Sequence, residues 1–239
     1  MSNASSIDQE ILERIIKEVF EKIGPERLAT ETPLPKTIGG GETGEMINPK
    51  QIPVGVSVRH MHVCKEDFEV LYGPGKELTV YRELFQPGEF AAKETVALLG
   101  PKMRLLERVR ILGPMRKFSQ VEIAKTDAVY LGINAPLRMS GDISGSASVT
   151  VVGPQGVLQL NEGCIRGMRH IHMNPGEAKY FGLKNGDVVK VRIGGPSAVT
   201  FENVVIRISD KVRLQLHLDT DEGNVADVNC KQDIEIIKE

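Results

Sequence analysis

The chain has 239 residues, 41% of them hydrophobic and 26% charged, a balance ordinary for a soluble globular protein of one large domain or two of common size. Its net charge of −2, the absence of Trp and the scarcity of other aromatics speak against a nucleic-acid surface, which needs a basic footprint and stacking platforms. No apolar run approaches the length of a membrane span, and no segment combines the basic start, apolar middle and small-residue cleavage site of a secretory signal.

The first predicted element is a helix over residues 6–23. Ile7, Ile11, Leu12, Ile15, Ile16, Val19, Phe20 and Ile23 recur at spacings of three and four and form one apolar stripe. Ser6 with Gln9 reads as a capping box, and Gly24-Pro25 ends the run. Acidic residues outnumber basic ones along it, which does not suit a membrane surface. An amphipathic helix of this kind is expected to dock on a partner protein in preference to its own domain. Residues 25–50 are rich in Pro, Gly and Thr and read as a linker, so 1–24 stands apart from the rest of the chain.

From residue 51 onward the pattern is short strands and turns. Residues 54–58, 105–112, 120–124, 147–152, 157–160, 188–193, 199–208 and 212–218 have strand character, and Gly153-Pro154-Gln155-Gly156 joins two of them as a hairpin. Helices are short, over 65–72 and 175–181, the second with Asn174 as N-cap and Pro175 at its first position. The expected class is mostly β, with barrels carrying small helical caps and no alternating βαβ units. Arg59-His60-Met61-His62 and Arg169-His170-Ile171-His172 are each followed by a short helix, a Gly turn and a strand. This internal repeat predicts two related β-barrel domains, 51–145 and 146–239, with strands free to exchange between them.

Four of the five histidines lie in those two His-x-His pairs, and the fifth, His217, lies in the alternating run Leu214-Gln215-Leu216-His217-Leu218. Residues i and i+2 of a strand share a face, so each pair presents two imidazoles to one point, as zinc and similar metals require. A single pair can equally be hydrogen-bonded core. Two pairs, each after an Arg, point to metal. His217 is the remaining histidine for a third ligand beside His170 and His172. Beside His60 and His62 the third ligand must be another residue type, and Glu122 in Gln120-Val121-Glu122 is a candidate, although a solvated strand carboxylate reads the same way.

Cys64, two residues after His62, sits in a cap-like position before 65–72 and is not read as a ligand. Together with Cys164 and Cys230 it makes an odd, sparse set, which fits free thiols in a reducing compartment. Arg116, just before the 120–124 strand, has the fork that binds phosphate through paired hydrogen bonds. The turn-rich run from Arg138 to Ser146 could cradle an anion, yet turns of that composition are commonly structural. No nucleophile elbow, Walker loop or dinucleotide fingerprint is present.

Taken in order, several segments over residues 52–229 resemble the phosphate propanoyltransferase family of bacterial microcompartments, the PduL-type phosphotransacylases. They include Gly55-Val56-Ser57-Val58-Arg59-His60-Met61-His62, Gln86-Pro87-Gly88-Glu89-Phe90-Ala91 and Gly113-Pro114-Met115-Arg116 with Gln120-Val121-Glu122-Ile123. Ala135-Pro136-Leu137-Arg138, Ser140-Gly141-Asp142, Arg169-His170-Ile171-His172-Met173 and His217-Leu218-Asp219-Thr220-Asp221-Glu222 continue the series. The resemblance implies two β-barrel domains and a two-zinc site. One zinc would take His60, His62, Glu122 and the sulfur of coenzyme A, and the other His170, His172, His217 and water. Arg116 matches the phosphate-binding position, and Ser57, Arg110 and Asn224 match coenzyme A contacts.

The implied reaction converts a short-chain acyl-CoA (propanoyl or acetyl) plus phosphate into acyl phosphate plus coenzyme A, in either direction. Residues 6–23 are similar to the family's encapsulation helix, which implies shell or lumen proteins as partners and a microcompartment lumen, otherwise the cytoplasm, as location. Neither nucleic acid nor membrane is expected as a partner, and a homodimer is compatible with the pattern. Cys64, Ser119, Gly223 and Val225 depart from the family's usual residues without removing a proposed metal ligand. Two rival readings stand beside this one: a zinc-dependent hydrolase of thioester-like substrates, and a barrel module whose metal is structural, with 177–193 reading as a generic double-psi barrel segment.

Overall fold

The computed structural model describes residues 52–228 and 234–237. The helix expected over 6–23, the linker over 25–50 and Cys230 lie outside the described residues. The first half contains β1 (Val54–Ser57), β2 (His60–His62), α1 (Lys65–Tyr72), β3 (Val80–Glu83), β4 (Phe90–Leu99), β5 (Leu105–Gly113), β6 (Gln120–Glu122) and α2 (Lys125–Leu131). Then come β7 (Leu137–Arg138), β8 (Ala147–Val152), β9 (Val157–Gly167), β10 (His170–Met173), α3 (Pro175–Phe181), β11 (Val188–Ile193), β12 (Val199–Ile208), β13 (Gln215–Asp219), α4 (Thr220–Val225) and β14 (Ile234–Ile237).

Strand pairing builds two bodies. In the first, β4 pairs β5, β5 pairs β2, β2 pairs β6, β6 pairs β9, β9 pairs β8, and β8 returns to β4. That ring of six strands is a closed barrel, with β3 and β7 added at its margins. Closure leaves the ring no free edge. The second body is a six-stranded half-barrel in the order β1-β13-β10-β12-β11-β14. Mostly β architecture with short helical caps is therefore the fold. β1 joins the half-barrel across most of the chain, while β8 and β9 stay with the closed ring.

The same three-strand unit occurs in both bodies. β2 runs parallel to β5 and antiparallel to β6, and β10 runs parallel to β12 and antiparallel to β13. Alternation along each central strand sorts the side chains. Met61 and Ile171, the middle residues of the His-x-His pairs, are fully buried, each in the core of its own body. Such burial is worth roughly 1.5–3 kcal/mol per side chain. The histidines on either side of them face the opposite way, out of the core.

Helix ends follow the sequence where the cap is local. The Asn174 side chain accepts from the Glu177 N–H and the Glu177 carboxylate accepts from the Asn174 N–H, and Asp219 and Glu222 do the same for α4. Cys64 is the N-cap residue of α1, and Cys64 and Cys164 are buried free thiols.

Local patterning does not reveal α2 and α4. Seven and six residues are too few to show a 3.6-residue period, and α4 contains Gly223 and Val225. β4 is also absent from the expected strands, because Lys93-Glu94-Thr95 interrupts its apolar alternation where the register with β5 shifts.

Candidate metal centre and anion site

Each His-x-His strand lies beside a strand that supplies a third ligand at the same register position. His60 faces Glu122 across β2 and β6, and His170 faces His217 across β10 and β13. The candidate donor atoms of His60, His62 and Glu122 lie within 4.8 Å of one another, and so do those of His170, His172 and His217. Among the described residues these are the groups of three or more His, Cys, Asp or Glu that could hold a metal ion.

The rings are aimed by their own backbones. Nδ1 of His60 lies 2.8 Å from the Val58 carbonyl and Nδ1 of His170 lies 2.8 Å from the Met168 carbonyl. Donation to those carbonyls makes Nδ1 the protonated nitrogen and frees Nε2. Nε2 of His60 stands 3.8 Å from Oε1 of Glu122. In the other cluster, Nε2 of His170 and Nε2 of His172 meet at 3.2 Å. Nε2 of His217 is buried without a hydrogen-bond partner. Two imidazole nitrogens in contact and a third buried without a partner fit a metal ligand set.

The charge state agrees. Burial holds His62, His170 and His217 below the usual histidine range, and it brings His172 down to about 3. Neighbouring histidines and the charges of Arg116 and Arg207 push in the same direction for His62 and His172 respectively. Neutral imidazole is the metal-binding form, and burial favours it at these four histidines.

Beyond the ligands, each His-x-His begins from an arginine clamped to an acid of the helix after the ligand strand. Arg59 grips Asp127 through two contacts, of 2.9 and 2.7 Å, and Arg169 reaches Glu222 at 3.0 Å. Glu122 is pinned from two sides. Gln120 donates to its Oε1 at 2.6 Å, and a Cβ at Gly167 would lie 2.6 Å from its Oε2, so glycine there makes room for the carboxylate.

His60, Glu122, His170 and His217 line one cleft together with Ser57, Gly167, Arg169 and Asp219. The two clusters therefore open onto a shared space. The halves are held in this relation by Gln86, which donates to the Arg213 carbonyl and to Gln215 and accepts from the Arg213 N–H. On the other flank, the N–H and hydroxyl of Thr126 both donate to Asp221.

Arg116 stands beside the first cluster. Its N–H bonds the Val63 carbonyl, Nη1 donates to Ser140 Oγ at 3.2 Å, and Nη2 is 3.7 Å from Glu89. Burial lowers its pKa, Glu89 and Glu122 oppose that, and the charge of Arg207 adds to it. Two guanidiniums that feel each other beside the two candidate ligand clusters make a place suited to an anion.

Of the other expected contacts, Ser57 lines the cleft. Arg110 donates to the Ala92 and Lys93 carbonyls and stacks over Tyr81, and Asn224 is exposed on α4. Neither lines the cleft.

Sequence reasoning missed Arg207 and Gln120 as members of the site and met Ser140 only within the turn-rich run 138–146 that could cradle an anion. Arg207 pairs in register with His172. Within the strand 199–208 it reads as one more solvent-facing residue. Aligning the repeated three-strand unit and asking which side chains lie beside each His-x-His is the signal that would have found it.

A model of the phosphate propanoyltransferase family matches residues 53–229. A phosphate propanoyltransferase of Lachnoclostridium phytofermentans is 48% identical over 186 residues, which cover 78% of this chain and 87% of that protein. One from Thermotoga maritima is 47% identical over 188 residues, 78% of this chain and 89% of that protein. One from Planctopirus limnophila is 40% identical over 236 residues, 98% of this chain and 93% of that protein.

Proposed function

Because the chain belongs to the phosphate propanoyltransferase family, we propose that its cleft interconverts propanoyl-CoA or acetyl-CoA plus phosphate with acyl phosphate plus coenzyme A. It is a phosphate acyltransferase, and the observation that supports this cleft as the reaction site is the opening of both ligand clusters onto one space. A phosphate oxygen bonds the thioester carbonyl carbon, the carbon–sulfur bond breaks, and coenzyme A leaves as thiolate.

The chain's own groups have distinct tasks in this reading. His60, His62 and Glu122 would hold one zinc ion, and His170, His172 and His217 would hold another. When bound, zinc supplies Lewis acidity and countercharge for the thiolate and the phosphate. Arg116 and Arg207 orient phosphate and neutralise it, so that the nucleophile arrives in a fixed geometry. Phosphate is already nucleophilic near neutral pH, and no acyl-enzyme on Ser or Cys is needed. Cys64 and Cys164 are poor candidates in any case, since burial raises both thiols, Cys164 to about 12. Ser57 contacts coenzyme A from the rim of the cleft. Arg110 and Asn224 fit coenzyme A contacts only further along the molecule, outside the cleft lining.

Coenzyme A release from acetyl-, propanoyl- and butanoyl-CoA, with and without phosphate and chelator, tests the reading. Release that requires phosphate, yields acyl phosphate and stops with chelator is expected. Phosphate-independent release with free acid as product would replace transfer by hydrolysis. Unfolding on chelation before any loss of rate would make the metal structural. One methylene separates acetyl from propanoyl, a discrimination worth about 1–3 kcal/mol, so both chains should turn over.

Residues 6–23 are assigned to encapsulation within a microcompartment on their apolar stripe. No helix among the described residues is long and apolar enough to cross a membrane. Fusing residues 1–25 to a reporter in shell-forming cells should give punctate signal, and a diffuse reporter rejects the assignment.

A further inference from the structure

We propose that Gln120 is a positioning residue that ties the His60–His62–Glu122 cluster to the guanidinium of Arg116, so that metal retention and phosphate affinity rise and fall together. The inference rests on the reading that this cluster holds a metal and that Arg116 takes phosphate.

Gln120 is fully buried, and all of its hydrogen bonds are directed. Nε2 donates to Glu122 Oε1 at 2.6 Å and to Ser140 Oγ at 3.0 Å, and Oε1 accepts the Gly141 N–H at 2.8 Å. The Gly141 bond decides which way the carboxamide points. Turned over, the amide would set its oxygen against the Glu122 carboxylate and its NH₂ against the Gly141 N–H, losing those two bonds and keeping only one with the Ser140 hydroxyl. Nε2 is therefore held toward Glu122, and the bare backbone of Gly167 closes the other side of that carboxylate.

The same NH₂ group reaches Ser140, whose Oγ accepts from Arg116 Nη1 at 3.2 Å. Metal ligand, amide, hydroxyl and guanidinium form one continuous relay. Burying an amide for packing alone costs free energy that a leucine or methionine would not, so the three bonds are the reason for its presence. The half-barrel supplies an internal comparison. Gln215 occupies the corresponding register position opposite His172, as Gln120 does opposite His62. Gln215 accepts from Gln86 and takes part in holding the two halves together. The relay to an arginine belongs to the first cluster.

Coupling of this kind is reciprocal: if metal orders Arg116 for phosphate, phosphate must tighten metal retention by the same factor. Zinc remaining after a chelator challenge, with and without inorganic phosphate, measures one side. The KM for phosphate, separated from kcat, measures the other. Gln120→Met, close in length but without the three bonds, should lower zinc affinity roughly 10–100-fold, as loss of a ligand's hydrogen-bond partner commonly does. It should also raise the phosphate KM.

Ser140→Ala cuts the relay beyond Gln120. It should leave zinc retention without phosphate unchanged, abolish the protection that phosphate gives, and raise the phosphate KM. Ser140→Thr, which keeps a hydroxyl, should restore both. Thermal melts check folding, and if Gln120→Met fails to fold, the Ser140 pair carries the test alone. Phosphate protecting zinc equally in wild type and Ser140→Ala overturns the relay. Arg116→Ala separates the two levels. An unchanged phosphate KM there refutes the assignment of Arg116 itself, whereas a raised KM with a silent Ser140→Ala refutes only the coupling.

Discussion

In the closed barrel, β6 places Glu122 opposite His60; in the half-barrel, β13 places His217 opposite His170. Several other local features are repeated. Each leading imidazole bonds a carbonyl two residues back, each pair is preceded by an arginine clamped to a helix acid, and each third ligand follows a glutamine by two residues. One residue type at one register position therefore decides the charge of each site. A dication among three neutral imidazoles keeps a charge of +2, and with Glu122 present it keeps +1. In the proposed reaction the more positive site would suit phosphate, and the less positive one a thiolate that must also leave.

Breaking one side should have the largest effect. His217→Ala removes a ligand whose Nε2 has no other partner, and zinc content should drop while kcat falls by several kcal/mol in barrier, about 100-fold or more. Zinc content by emission spectroscopy beside the transacylase rate checks this. Glu122→His, which makes the two clusters alike, should retain zinc and still lose turnover. Full activity in that variant would show that the difference in charge does not matter.

The two arginine clamps sharpen the comparison at the level of stability. Asp127 is almost wholly buried and held twice by Arg59, so Arg59→Ala should cost about 2–4 kcal/mol, near the low end for breaking a buried pair because Arg59 itself is partly exposed. Glu222 is less buried and is held by a single contact from Arg169, so Arg169→Ala should cost less, about 1–2 kcal/mol; each acid keeps its capping bond when its arginine is lost. Denaturant midpoints with unchanged m-values check the order, and the reverse order would break the assignment of the tighter clamp.

A last contrast lies in pH. In chelator-treated protein the folded-state pKa values of His62, His170 and His217 lie below the unfolded value near 6.5, and that of His172 lies at about 3. Between those limits the unfolded chain binds more protons, so stability is fully present above about pH 6.5 and falls as pH drops toward 3. Zinc-loaded protein should resist this fall over the upper part of the range, because protons must then displace the metal. Melting curves of stripped and loaded protein from pH 7 to 4 that superimpose would contradict the ligand assignment.

Much of this was legible in the residues. Two His-x-His pairs, each after an arginine, state by their spacing that two imidazoles share a strand face. The repeat around them announces related bodies, and Asn174-Pro175 marks a helix start. These signals are local, carried by the period of two along a strand or by a cap within three residues. β4 escaped notice because a bulge breaks its period, and α2 and α4 because each is barely two turns long.

The sequence by itself determined the two His-x-His pairs, the mostly β class and the family, because those depend on neighbours in the chain. Only the tertiary structure decided that Glu122 and His217 occupy equivalent places and that both clusters open onto one cleft. It also brought Arg207, Gln120 and Ser140 to the site. The reason is cross-strand register. Which residue stands opposite which is set by hydrogen bonding and core packing between segments remote in the chain, and a shift by one residue would turn every one of these side chains to the other face.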